Sequence, residues 1–335
     1  MGEHVMKKMN RDISTLKGLI DEYIEYYAKP QKSSWHEDLR VLNKDVLPKL
    51  KYLTVAEVTK GDVAKVLRQI MTLRSDAAAR RTLKILQAMF SFAVTRGVLE
   101  SNPCSDIAEP GEEVVKDRVL KENEVGKLWF GLDAAKMSKG IKLSIKLLLV
   151  TGQRSGEVAG AKWSEFELNE KLWTIPAERT KNKKNHRVFL TKLAIDILLE
   201  AKKLPGRSIW VFPSSRDGHI TARSISAAIR NNSEKIPKGH PKHKPPYGDF
   251  FKIGHFFPSD IRRSMASLLK KLGVDEAHIA KAQNQAESDG TRKSKKAYDS
   301  EKRQALEAWE KKLQTIMFSW RNPSVNSDSR DGRNK

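Results

Sequence analysis

Cysteine is almost absent: Cys104 is the single one in 335 residues. One thiol cannot close an intrachain disulfide or furnish a four-thiolate metal site, so a reducing compartment suits the chain. Long apolar runs are also missing. The stretch LSIKLLLVTG falls short of the ~18 apolar residues of a membrane span, and Lys146 interrupts it. The N-terminal MGEHVMKKMNRDISTLKGLIDEY lacks the apolar core of a secretory signal. No lipidation motif and no sharply segregated basic amphipathic helix is visible. These absences predict a cytoplasmic chain with no membrane partner.

Positive charge is what the chain has in excess. Lys and Arg number 63 against 41 acids, a formal net charge of +22. Hydrophobic residues are 39%, too many for a disordered polymer. The length suits two domains, each with its own core. Nucleic acid is the natural partner of such a field; RNA, another polyanion or a merely solvated basic surface are the competing readings.

Apolar spacing along residues 12–28 is helical, with Leu16, Leu19, Ile20, Tyr23, Ile24 and Tyr27 on one face. A second helix is expected over 35–50, ending near Pro48. A third starts near Thr59 or Asp62. A fourth buries Leu83, Leu86, Met89, Phe90 and Ala93 and stops at Gly97. The predicted organisation is a flexible 1–11, a helical bundle over 12–106, a linker over 107–120 broken by Pro110 and Gly111, a second domain over 121–318 and a disordered 319–335. In that second domain GIKLSIKLLLVTG reads as a buried helix. The clear β signal is KLWTIPAERTKNKKNHRVFLT, with extended runs Leu172 to Pro176 and Arg187 to Leu190 around a lysine-rich turn. Helices are expected near 192–203, 223–231, 260–272, 275–284 and over SEKRQALEAWEKKLQTIM. The fold class is therefore mainly α with a small antiparallel sheet.

Three stretches place cations at sharp turns. In TGQRSGEV, Gly152 frees the backbone just before Arg154, and Glu157 can orient that guanidinium towards a phosphate. A local ion pair at a helix start explains the string equally well. In ERTKNKKNHRVFL, the tip lysines Lys181, Lys183 and Lys184 could enter a DNA groove or form a soluble turn. In GHFFPSDIRRSMASLLKKLG, Arg262 and Arg263 fall in what reads as the first helical turn. Acids are usual there, so an anion is expected to bind.

In order, LLLVTGQRSGEVAGAKWSEFEL, WTIPAERTKNKKNHRVFLT, FFPSDIRRSMASLL and LEAWEKKL resemble the tyrosine recombinases, above all the integrases of phages and genomic islands. The resemblance runs from about residue 12, with the first domain similar to a core-binding domain and no arm-binding domain visible before it. It implies duplex DNA as partner, a homo-oligomer assembled on it, and no cofactor, metal or small-molecule substrate, arginine supplying the cation. It further implies that a tyrosine attacks the scissile phosphate to give a 3′-phosphotyrosyl link. Arg154, Glu157, Lys181 and Arg262 match the catalytic set. Arg80, Arg81, Lys84, Lys183, Lys184 and Arg263 are expected DNA contacts, and a lysine-rich loop over 235–252 is a further candidate.

The resemblance then departs. Ser259 stands where His-x-x-Arg requires histidine, Gln285 replaces a second histidine, and Lys293 or Ser294 stands where the nucleophile belongs. Tyr298 lies a few residues later and also fits a non-nucleophilic tyrosine of the family. Neither serine nor glutamine titrates near neutrality. The implied reading is a DNA clamp with lost or impaired cleavage; the alternative is an active integrase working through Tyr298. Both require Arg154, Lys181 and Arg262 to converge on one phosphate.

Overall fold

The structure is a computed structural model. It describes residues 12–32, 34–111, 118–206, 208–214, 218–233, 247–285 and 295–322, the first four of the last segment by backbone alone. Residues 1–11, Lys293 and most of the lysine-rich loop lie outside the described residues. The chain divides into two compact units, residues 1–116 and 117–335.

The first unit is helical. Helix α1 (Leu16–Tyr23) is capped by Thr15, whose hydroxyl accepts from the Gly18 amide, and it continues through a π turn, Ile24–Ala28, into α2 (Lys29–Gln31). Helix α3 (Trp35–Val41) passes through a second π turn, Leu42–Val46, into α4 (Leu47–Leu50). The segment ends at Leu50, as the expected 35–50 helix does, and Pro48 lies in the first turn of α4. A proline is tolerated in a first turn because its missing N–H has no intrahelical partner there. Thr59 and Asp62 cap α5 (Lys60–Leu73) reciprocally, and Ser75 caps α6 (Asp76–Thr95). Gly97 follows at φ 70°, the left-handed stop that glycine adopts freely. Leu83, Leu86, Met89, Phe90 and Ala93 are all fully buried with Leu19, Ile20 and Tyr23. Cys104 joins this core, and burial pushes its thiol up to about 12.

The second unit is built around α8 (Lys139–Thr151), whose Ile145, Leu147, Leu148 and Leu149 are inaccessible or nearly so. Around it lie α7 (Glu122–Ala134), α9 (Ser155–Ala159), α10 (Lys192–Lys202), α11 (Ala222–Asn231), α12 (Pro258–Lys271) and α14 (Lys295–Arg321). The short α13 (Glu276–Ala282) packs on α12 and α14. Strands β1 (Phe166–Glu167), β2 (Leu172–Ile175) and β3 (His186–Phe189) form an antiparallel sheet in that order, with Trp173 opposite Val188 and Ile175 opposite His186. Period-two alternation sends Trp173, Ile175, His186 and Val188 to the buried face. The Trp309 indole donates to Leu149 O at 2.7 Å, pinning α14 to the last turn of α8.

Two boundaries differ from the sequence reading. Helix α14 runs to Arg321, so residues 319–321 are helical rather than part of a tail; 323–335 lie outside the described residues. The 107–120 segment divides: Ile107 packs on the first core, whereas Leu120 is buried in the second, its amide donating to Ser264 Oγ at 2.7 Å.

Candidate anion site

Helix α12 starts two residues earlier than the sequence suggested. Phe257 is its N-cap, Pro258 its first residue, and the buried Asp260 accepts from the Phe257 amide at 2.8 Å. The first turn therefore holds the acid that a helix dipole favours. Arg262 and Arg263 fall in the second turn, which corrects the expectation of arginines at the dipole's positive end. Asp260 also pairs with Arg263.

Arg262 Nη1 donates to Gly152 O at 2.8 Å, and Nη2 donates to Gln283 O. Gly152 closes α8 at φ 63°, and a side chain there would collide with Met265 Sδ. This left-handed turn lets the chain reverse into α9 and delivers Arg154 beside Arg262. Arg154 donates to Glu157 Oε1 at 3.1 Å and to Asn284 O at 3.0 Å, while its own amide donates to Glu157 Oε2 at 2.9 Å. Glu157 is 2% exposed and so acts from within the protein.

Both arginines line a cavity of about 590 Å³, with Arg263, Ser259, Gln283 and Gln285 on the same wall. Burial, and then the like charge of Arg154, brings the Arg262 guanidinium down to about 10; Glu157 partly offsets this. Arg262 stays cationic at neutral pH. Ser259 is exposed at the rim with its hydroxyl 3.4 Å from Asp260 Oδ1, and the Gln285 amide donates to Gln283 Oε1 at 2.9 Å. The cavity thus presents fixed positive charge beside neutral donors, an arrangement suited to an oxyanion.

Behind it lies a buried chain the sequence reading did not single out. The Gln153 amide donates to Thr151 O at 2.8 Å and Ala282 O at 2.9 Å, which leaves its oxygen facing His186 Nε2 at 3.1 Å. Nε2 is therefore the donor, and Nδ1 accepts from the Lys302 ammonium at 3.3 Å. Burial, followed by Lys302, holds His186 down to about 3, so the ring is neutral. The available signal was strand period: His186 shares its face with Val188. Lys302, 3% exposed, carried none.

Lys181 lies on the β2–β3 turn, exposed, and is not among the residues lining the cavity. Its neighbour Asn182 donates to Asn284 Oδ1 at 2.8 Å, so the turn is tied to the residue whose carbonyl holds Arg154. Lys183, at φ 54°, and Lys184 are exposed on the same turn. Tyr298 is in the first turn of α14, one turn before Lys302. In the first unit, Arg80 donates to Pro110 O at 2.7 Å, Arg81 lies 3.4 Å from Glu37 and Lys84 lies 3.3 Å from Glu109. Among the described residues no group of three or more His, Cys, Asp or Glu could hold a metal ion, and no helix is long and apolar enough to cross a membrane.

An all-helical unit, followed by a helix-wrapped hairpin whose two flanking segments bring arginines together, defines a chain of tyrosine-recombinase type. Residues 118–294 match the phage integrase family and residues 18–110 the phage integrase central domain; the chain belongs to the phage integrase family. Prophage integrase IntZ of Escherichia coli K12 is 27% identical over 225 residues, covering 66% of this chain and 54% of that protein. Prophage integrase IntA of the same strain is 24% identical over 215 residues, covering 62% and 52%. The integrase of Enterobacteria phage P4 is 25% identical over 228 residues, covering 62% and 51%. The chain thus spans about half the length of these curated relatives. A lambda integrase (75–356) dimer bound to a COC′ core site shares the fold at a TM-score of 0.62 and 16% identity, covering 84% of this chain and 99% of that one. A lambda integrase tetramer bound to a Holliday junction also scores 0.62 at 16% identity, covering 88% and 84%.

Proposed function

We propose that this chain grips duplex DNA, holding one backbone phosphate between Arg154 and Arg262, and that its strand-cleavage chemistry is lost or impaired. The observation that carries this reading is the shared cavity. Arg154 and Arg262 line it together, Arg263 being paired with Asp260, and Ser259 and Gln285 stand where the family resemblance places histidines. Guanidinium groups aimed at a phosphate stabilise both the bound diester and any pentacovalent state. A hydroxyl and an amide can donate hydrogen bonds but cannot exchange protons near neutral pH. Glu157 orients Arg154, and Lys181, exposed on the hairpin turn outside the cavity lining, turns towards the phosphate when DNA is bound. Residues 12–106 act as the core-binding domain and 121–318 as the catalytic-like domain, joined through 107–120. Arg80, Arg81, Lys84, Lys183, Lys184 and Arg263 serve as phosphate contacts. The chain acts in the cytoplasm on the nucleoid of a prokaryotic host and assembles as a homo-oligomer on DNA; the lambda integrase dimer bound to a COC′ core site and the tetramer bound to a Holliday junction support this.

A second reading is an active integrase using Tyr298. Its support is position: Tyr298 precedes by one helical turn Lys302, which reaches His186 behind the arginine loop. A nicked suicide duplex separates the two. A clamp yields no covalent adduct but binds duplex with steep salt dependence. An integrase accumulates an adduct that Tyr298→Phe abolishes. A preference for single-stranded RNA over duplex DNA overturns both.

A further inference from the structure

We propose that Asn182 and Asn284 form a clasp that fixes the lysine turn of the β2–β3 hairpin to the wall of the arginine cavity, making both asparagines positioning residues for the anion site. The inference rests on the reading of that cavity as a phosphate site. The two side-chain amides bond reciprocally: Asn182 Nδ2 donates to Asn284 Oδ1 at 2.8 Å, and Asn284 Nδ2 reaches back to Asn182 Oδ1 at 3.4 Å. Each side of the pair is itself a built structure. On the hairpin, Thr180 Oγ1 accepts from the Lys184 amide at 3.1 Å and donates to Lys184 O at 2.8 Å, closing the turn upon itself. Asn182 Oδ1 also takes the Lys184 amide at 3.4 Å. The turn is therefore a preformed unit, and what the clasp fixes is its placement.

On the other side, Asn284 follows α13 with φ 49°, the left-handed region in which glycine is unstrained and asparagine is among the tolerated residues. It is 7% exposed, and its backbone oxygen accepts from Arg154 Nη2 at 3.0 Å. One residue thus holds Arg154 through its carbonyl and the lysine turn through its amide. Since residue 182 directly follows Lys181, the clasp sets where that lysine's side chain starts from. Removing the clasp leaves Arg154 in place and lets the turn drift.

The test has two arms. In the first, trypsin cleavage after Lys181, Lys183 or Lys184 is followed by mass spectrometry in the absence of DNA. Asn182→Ala and Asn284→Gly each raise the initial cleavage rate about fivefold, the opening expected from one lost hydrogen-bonded pair. The double variant cleaves no faster than Asn182→Ala alone, because Asn284→Gly removes no contact with the turn that Asn182→Ala leaves in place. Asn284→Gly keeps the left-handed backbone, and its melting temperature checks that the fold survives. Unchanged cleavage, or additive effects, overturns the clasp. In the second arm, Lys181→Ala weakens binding to a duplex in the otherwise unaltered protein and has little effect in the Asn182→Ala background. Equal weakening in both backgrounds overturns the positioning role. A wild-type protein that binds no duplex overturns the functional reading and with it that role, while the cleavage arm still decides the clasp.

Discussion

Arg262 is a cation largely withdrawn from water, and two backbone oxygens, of Gly152 and Gln283, hold its fork. Arg262→Ala therefore removes an anion contact and leaves two inward carbonyls without that donor. Such losses cost about 1–3 kcal/mol each way, so duplex affinity falls roughly tenfold to a hundredfold and the melting temperature drops. Arg262→Lys restores charge without the planar fork and recovers only part of the affinity; filter binding beside thermal denaturation checks both. His186 predicts a pH effect. Its neutral ring is held down to about 3 from an ordinary value of 6.5, so the unfolded chain takes up a proton on acidification before the folded one does. The stability this site contributes is full above about pH 6.5 and declines as pH falls towards 3. Between about pH 6.5 and 5 the loss is on the order of 2 kcal/mol. Urea midpoints across this range should fall in the wild type and flatten in His186→Gln. The sequence exposed Arg154, Glu157 and Arg262 because each sits in a local motif. It did not expose His186 or Lys302, whose roles are made by each other.

Among the elements, α8 is the one on which the site depends. It is buried almost all round, it ends in a left-handed glycine, and α14 is pinned to its last turn by Trp309. Gly152→Ala meets both an unfavourable φ and the Met265 sulfur. The expected destabilisation is about 1–3 kcal/mol, read by denaturant unfolding, with a larger proportional loss of DNA affinity because Arg154 is displaced. Trp309→Phe keeps much of the packing and loses the bond to Leu149 O, costing about 1–2 kcal/mol. Helix positions were readable from caps and spacing: Thr59 with Asp62, Gly97 and the period of α6 all act within a few residues. The start of α12 two residues before the expected 260 has a local mark as well, Pro258 at the first helical position. The two π turns and the two-residue β1 left no periodic trace long enough to detect.

For the whole molecule, the excess of cations matters more than any one pair. The exposed pairs of Arg81 with Glu37 and Lys84 with Glu109 are of a kind worth little, about 0–1 kcal/mol, so phosphates can displace the carboxylates. Duplex affinity should fall linearly on a log–log plot against salt. Arg81→Gln and Lys84→Gln should each flatten that slope by about one while leaving any sequence preference unchanged. Slopes unaffected by both substitutions would remove the first unit from the interface.

Composition and short-range pattern settled the division into a helical unit and a mixed one, the hairpin, and the arginine motifs, because caps, turn glycines and strand alternation are decided by neighbours along the chain. Only tertiary structure decided what holds those arginines. The bonds from Arg262 to Gly152, from Arg154 to Asn284 and from Lys302 to His186 span 110, 130 and 116 positions. Contacts at such separation arise when α8, β3, α12, α13 and α14 pack around one core, and no local preference of the backbone specifies them.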